Sequence, residues 1–304
     1  MAAPGAVVDW RMVVLVQAAA EAGVLDALPG TVDDLAARLA LNPHGLQVVL
    51  DALGAWGVVD RDDVGGYATG AGAPDADAVA QLRHHGRAVK AWSSTIDKRL
   101  RGEPVENRLG MPDPEMFIDA LGAGARSNAP GIVDLCLARF PDTRSVIDLG
   151  GGHGEYSLEF ARRGLQVTLQ DLPVMVDVLR RRGRLAEAGV ELVAGSFFDG
   201  VPPGPFHLAF CAGITHTFDG RHNESLFRNL RPAVSSRGGV AVVTFLRHRD
   251  PMADVFAVQM LANGNGGDSH GEDQYRAWLG GAGFKVDDVV VDIPGRPQSA
   301  LFAT

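Results

Sequence analysis

A doubly wound α/β domain preceded by a smaller helical domain is the architecture this chain predicts, and three observations predict it. Strand-like and helix-like runs alternate from residue 145 to the C-terminus. Such alternation builds a largely parallel sheet covered by helices on both faces. A turn carrying four glycines joins the first of these strands to the first of these helices. Upstream, apolar residues recur at helical spacing and lead into a short hairpin pattern.

The upstream half begins with Val13, Val14, Val16, Ala20, Val24 and Leu25, which mark one amphipathic helix across 10–28. Thr31 followed by Asp33 and Asp34 offers an N-cap and an acidic first turn. Residues 31–58 then read as helix, turn at Asn42-Pro43, helix. Residues 58–69 read as a hairpin with Gly65-Gly66 at its tip, which completes a winged-helix pattern. A polar, basic stretch with helical segments covers 84–108, and one or two helices cover 114–140. The expected division is a helical domain over 1–105 and an α/β domain over 106–304. In the latter, strands are expected at 145–150, 165–170, 190–195, 207–213, 240–246, 286–294 and 299–304, with helices at 155–163, 173–188, 221–234 and 271–282. The last two strands are joined by so short a link that they should pair antiparallel.

At 304 residues the chain is long enough for two domains and a sizeable core. It is 46% hydrophobic and 21% charged, with a formal net charge of −9. An acidic surface repels a phosphate backbone, so nucleic acid is not an expected partner. The candidate recognition helix, NPHGLQVVLDALGAWG, has no Lys or Arg, which disfavours a winged-helix regulator. Two cysteines, Cys136 and Cys211, form no CxxC pair. That suits a reducing cytoplasm. No apolar run reaches the ~18 residues of a membrane span, so a soluble protein with no membrane partner is expected.

The most informative segment is Asp148-Leu-Gly150-Gly151-Gly152-His153-Gly154-Glu155. It follows a strand and opens a helix, where glycines let the backbone turn tightly against a ligand. Asp171 ends the next strand, and a carboxylate there can accept hydrogen bonds from both ribose hydroxyls. A dinucleotide would fit such a turn as well. Asp148 argues against it, because it would repel a pyrophosphate but would pair with the ammonium of S-adenosylmethionine.

Several segments together resemble the caffeic-acid/plant-type O-methyltransferase superfamily in its bacterial natural-product branch. They are residues 18–59 (AAAEAG through WGVV), DLGGGHGEY, QDLPVM, GSFFDGVP, ITHTFDGRHNESLFRNL and QYRAWLGGAGF. The resemblance implies a C-terminal Rossmann-like seven-stranded methyltransferase domain and an N-terminal α-helical, winged-helix-like dimerisation domain. It implies S-adenosylmethionine as cofactor, held by Asp148, Gly150, Gly152, Gly154, Asp171, Leu172, Ser196 and Phe197. It also implies a small-molecule acceptor and a homodimer. His216 matches the family's general base, and a neutral imidazole can take a hydroxyl proton near neutral pH. Trp92, Met111, Met116, Phe117, Phe256 and Met260 are candidates for the acceptor pocket.

The chain departs from the family around His216. The two acidic residues that flank the base align with Thr244 and with Ser269-His270. Thr244 could hydrogen-bond His216 without stabilising an imidazolium as a carboxylate does. His216 and His270 could instead hold a divalent metal, with Asp219 or Asp268 as a third ligand. That alternative is metal-assisted C-methylation beside the carbonyl of an α-keto acid. A further alternative keeps the fold and loses methyl transfer. His84, His85, His222, His248 and the run Arg180–Arg184 are read as solvated.

Overall fold

The computed structural model describes residues 10–105, 113–263, 266–287 and 290–304. Its contacts divide the chain into two compact units, Met1–Lys90 and Ala91–Thr304. The division falls inside a long helix, Ala76–Leu100, so both units share it. The break expected after residue 105 lies past that helix's end.

In the first unit α1 (Trp10–Glu21) and α2 (Val24–Ala27) replace the continuous helix expected over 10–28. Gly23, at φ +74, ends the first of them, because a left-handed residue terminates the helical ladder. After β1 (Gly30–Thr31) come α3 (Val32–Leu39) and α4 (Pro43–Ala55). Thr31 caps α3 by accepting the Asp34 N–H at 3.3 Å, and Asn42 caps α4 by accepting the Gly45 N–H at 2.8 Å. Leu46, Leu50 and Leu53 form one buried stripe along α4. Strands β2 (Val59–Arg61) and β3 (Gly66–Thr69) pair antiparallel, with β1 on the far side of β3. The core gathers Leu35, Leu50, Leu53, Val58 and Tyr67. The shared helix is α5.

The second unit opens with α6 (Pro114–Arg126) and α7 (Ala129–Arg139), followed by β4 (Ser145–Leu149), α8 (Glu155–Arg162) and β5 (Gln166–Asp171). Next come α9 (Pro173–Arg182), α10 (Arg184–Glu187), β6 (Glu191–Ala194), β7 (Phe206–Ala212) and α11 (Gly220–Leu230). The chain ends with β8 (Val234–Thr244), α12 (Pro251–Asn263), α13 (Glu272–Gly281), β9 (Val291–Asp292) and β10 (Ser299–Ala303). One seven-stranded sheet results, in the order β6-β5-β4-β7-β8-β10-β9. The first five are parallel; β10 runs antiparallel to β8, and β9 antiparallel to β10. Successive residues of β4 feed opposite cores. Val146 joins Phe160, Leu169 and Phe210 on one face, and Ile147 and Leu149 join Leu226, Phe227 and Tyr275 on the other. Burial on both faces explains why these strands read as nearly continuous apolar runs.

Four local expectations change. The helix expected over 173–188 breaks at Gly183, φ +74. The helix expected to reach 234 ends at Leu230, and Pro232 sits in the turn after it, where its ring cannot continue the ladder. Strand β8 therefore begins earlier than expected. The strand expected over 286–294 reduces to Val291–Asp292 and an isolated bridge between Val286 and Ala303; residues 288–289 lie outside the described residues. The arginine run is not simply solvated. Arg181 and Arg182 bind Glu115, Arg182 also binds Asp119, and Arg184 binds Glu155, which ties the region to α6 and α8.

Candidate active site

The strand order reverses between β4 and β7, so their C-terminal ends border the crevice where open α/β sheets bind ligands. The glycine turn follows β4. Gly150, Gly152 and Gly154 take φ of +65, +48 and +74, values that side-chain-bearing residues avoid. A Cβ at Gly150 would come within 2.5 Å of Ile214 Cγ2. Ile214 stands two residues before His216, so the glycine turn and the histidine turn are in direct contact.

Asp171, at the end of β5, holds this turn. Its Oδ2 accepts the Gly152 N–H at 2.8 Å and its Oδ1 accepts the Leu172 N–H at 2.7 Å. Burial still raises its pKa. Each oxygen keeps a second lone pair, so the carboxylate can also accept the hydroxyls of a ribose. Leu172 is 44% exposed beside it. Ser196 and Phe197 follow β6; Ser196 Oγ accepts the Phe198 N–H at 3.2 Å, and Phe197 packs on Phe198 and Phe218. The candidate cofactor residues from the three strands β4, β5 and β6 thus lie at the same sheet edge. A charged thioether nucleoside suits them, with carboxylates for its ammonium and ribose and apolar surface for its base.

Asp148 is 1% exposed, and its Oδ2 accepts the Ser157 hydroxyl at 2.6 Å. Burial pushes its pKa up to about 7, Ser157 pulls it back, and Asp171 adds to the push. A folded-state pKa above the unfolded value means that the folded chain holds this proton more tightly. The contribution of Asp148 to the stability of the ligand-free protein should therefore fall as pH rises from about 4 towards 7. Ionised Asp148 is the form that attracts an ammonium. The affinity for S-adenosylhomocysteine should rise several-fold between about pH 6 and pH 7.5, and Asp148→Asn should flatten that rise. Calorimetric titration across this range checks both; an equal slope in the variant would contradict the assignment.

His216 lies in the short turn Thr215–Thr217 that follows β7, and is 8% exposed. Its ring meets Phe256 edge-on at 4.7 Å and Phe245 at 5.9 Å; those two rings stack 3.9 Å apart. Nδ1 is buried without a hydrogen-bond partner. Burial, followed by the neighbouring His270, pushes the pKa down to about 3.

The expected support for His216 is not formed. Thr244 turns instead to a buried hydroxyl cluster, at 3.3 Å from Tyr275 Oη and 3.4 Å from Thr215 Oγ1. Thr215 and Tyr275 themselves lie 2.7 Å apart. Sequence reasoning missed these two, because neither hydroxyl carries a recognisable spacing. His270 Nε2 donates to the Phe218 carbonyl at 2.7 Å, which fixes its tautomer. Asp219 caps α11 and meets His222, and Asp268 pairs with Arg247. Among the described residues no three His, Cys, Asp or Glu side chains converge as metal ligands. The donor set around His216 and His270 therefore does not fit a divalent metal.

The pocket candidates scatter. Phe256 meets His216, and Met260 is buried on the same helix. Trp92 Nε1 donates to Gln259 Oε1 at 2.6 Å, which joins it to α12. Phe117 packs on the core that holds Phe160 and Phe210 instead, and Met116 is half-buried. Met111 lies outside the described residues. Phe245, which stacks on Phe256, was not foreseen. His84 is half-buried, and burial lowers its pKa.

Comparisons with known proteins give the family and the fold. Residues 131–285 match the model of the O-methyltransferase domain family. The chain is 29% identical to the 3-amino-4-hydroxybenzoate 4-O-methyltransferase of Streptomyces cremeus, over 89% of this chain and 81% of that one. It is 26% identical to the tetracenomycin polyketide synthesis 8-O-methyl transferase of Streptomyces glaucescens, over 86% and 83%. Among solved structures, LaPhzM superposes with a TM-score of 0.80 at 22% identity, over 97% of this chain and 96% of that one. Human N-acetylserotonin methyltransferase in complex with SAM superposes at 0.77 and 20% identity, over 97% and 94%. These structural likenesses show the shared fold, and the family match covers more than half of the chain. The protein belongs to the O-methyltransferase domain family, in the company of bacterial natural-product enzymes.

Proposed function

We propose that this protein transfers the methyl group of S-adenosylmethionine to a hydroxyl oxygen of a small aromatic natural product, with His216 beside the acceptor. The supporting observation is the contact between the two halves of the site: Gly150 of the cofactor turn abuts Ile214 of the turn that carries His216. That contact brings a donor held at Asp148 and Asp171 close to an acceptor held at His216, Phe245 and Phe256.

The cofactor supplies a methyl group already activated on a positive sulfur. The chain's own task is to align an oxygen with it and exclude water. Asp171 grips the turn and would hold the ribose, Asp148 would face the ammonium, and the Phe245–Phe256 stack offers an apolar wall for an aromatic acceptor. We place a second copy of the chain against the first unit, whose Val14, Val48 and Val89 are exposed, as a homodimer. No helix among the described residues is long and apolar enough to cross a membrane.

Mass spectrometry tests the reaction. Purified protein with S-adenosylmethionine and hydroxylated aromatic acids, 3-amino-4-hydroxybenzoate among them, should yield an O-methyl product and S-adenosylhomocysteine. Consumption of the donor with methylation on carbon or nitrogen, or no binding of the donor at all, would refute the proposal.

A further inference from the structure

Among the described residues, none around His216 supplies the negative charge that an imidazolium needs. Each element packed near it can be named. The end of β8 brings Phe245 and α12 brings Phe256, both apolar. The segment before α13 crosses the turn, with the Asp268 N–H donating to the His216 carbonyl at 2.9 Å. The Asp268 carboxylate is held by Arg247, and Ser269 Oγ is buried without a partner. His270 is committed to the Phe218 carbonyl and carries no negative charge to offer. Thr244 is held by Thr215 and Tyr275. His216 Nδ1, where an orienting carboxylate would bind, has no partner. A proton arriving on this ring would create a buried, unpaired cation, which is costly. Burial holds the ring in its neutral form.

We infer that the acceptor is an acidic aromatic hydroxyl that binds already ionised, made acidic by a conjugated carbonyl, quinone or nitro group, and that neutral His216 orients this oxygen instead of deprotonating it. The inference rests on the O-methyltransferase reading above. In its step the phenolate oxygen forms a bond to the methyl carbon while the carbon–sulfur bond breaks, its electron pair returning to sulfur. An anion and a sulfonium become a neutral ether and a neutral thioether, and no proton moves. A neutral imidazole has one N–H to donate to the phenolate. An ordinary phenol, ionising near pH ~10, would need a proton acceptor that this site lacks.

The test has an arm that needs no acceptor. In 15N-histidine-labelled full-length protein saturated with S-adenosylhomocysteine, with the His216 signal assigned through H216Q, His216 should stay neutral from pH 5.5 to 8. A titration near the ordinary histidine value would overturn the inference. The second arm compares 4-nitrophenol, 4-hydroxyacetophenone, 2-hydroxy-1,4-naphthoquinone and 4-methoxyphenol. Turnover should favour the acidic members, and its pH profile should follow each acceptor's own ionisation. H216Q should keep activity within ~10-fold on the best of them, whereas loss of a general base costs ~10²–10⁴-fold. Equal turnover of 4-methoxyphenol, a 10²-fold or larger loss in H216Q, or no methylation of any member by cofactor-loaded enzyme would each count against the inference. Failure to bind S-adenosylhomocysteine has a different meaning: it removes the O-methyltransferase reading itself.

Discussion

Replacing Asp171 with alanine should weaken S-adenosylhomocysteine binding by about 10²-fold or more. The carboxylate serves two purposes in one place. It accepts the backbone N–H groups of Gly152 and Leu172, and it is the acceptor for the ribose hydroxyls. Hydrogen bonds to a charged group contribute roughly 1.5–3 kcal/mol each, so losing a pair of them to the sugar is a loss of about 3 kcal/mol or more. The Gly152 N–H is also left without its partner, which loosens the turn. Asp171→Asn is the informative companion. Its amide keeps one acceptor oxygen but presents an NH₂ to either Gly152 or the sugar, so it should bind more weakly than wild type and no better than about tenfold above the alanine variant. Calorimetry reads both. An alanine variant within threefold of wild type would show that the sugar is held elsewhere.

Gly150→Ala should both destabilise the protein and close the cofactor turn. Two costs combine. The residue sits at φ +65, where a Cβ costs about 1 kcal/mol or somewhat more. Its Cβ would also stand 2.5 Å from Ile214 Cγ2, and overpacking of that kind costs about 1–3 kcal/mol. Gly164 separates the two, since it has φ +83 with nothing within 4 Å of its Cβ position. Gly164→Ala should therefore lower Tm by a few degrees, and Gly150→Ala by about 5–15 °C. Gly150→Ala should also lose S-adenosylhomocysteine affinity, which Gly164→Ala should keep. Equal thermal shifts in the two variants would mean that the Ile214 contact carries no weight.

The parts of this molecule legible in the sequence are those governed by local rules. The glycine turn was legible because tight βα turns need positive φ, and glycine is the residue that takes it without strain. Strands β4, β5 and β7 were legible because burial on both faces leaves them uniformly apolar. The antiparallel β9–β10 pair followed from a link too short for a crossover. Ends set by one residue were misplaced, as at Gly23, Gly183 and Pro232. Helix α12 was not assigned as an element, since its apolar residues surround it too evenly to show a stripe. Within the site, His216 was found through its place after β7 and through resemblance, but its surroundings were not. Thr244 aligns with a family acid and had the hydroxyl to bond His216; instead it bonds Tyr275, a residue thirty-one positions away in sequence. Likewise the commitment of His270 to the Phe218 carbonyl spans fifty-two positions. Side-chain partnerships across such separations depend on how helices settle on the sheet, which spacing does not encode. The same limit applies to Asp171, whose carboxylate was expected to grip a sugar and was not expected to brace the glycine turn.

A crystal structure of the full-length protein grown with S-adenosylhomocysteine would examine the cofactor assignment at atomic detail. The ribose hydroxyls should lie on Asp171, the amino group on the Asp148 side of the glycine turn, and the sulfur should point towards the cavity bordered by His216, Phe245 and Phe256. A nucleoside seated away from the β4–β7 crevice, or an Asp171 carboxylate that never meets the sugar, would contradict the assignment of this edge of the sheet as the methyl-donor site.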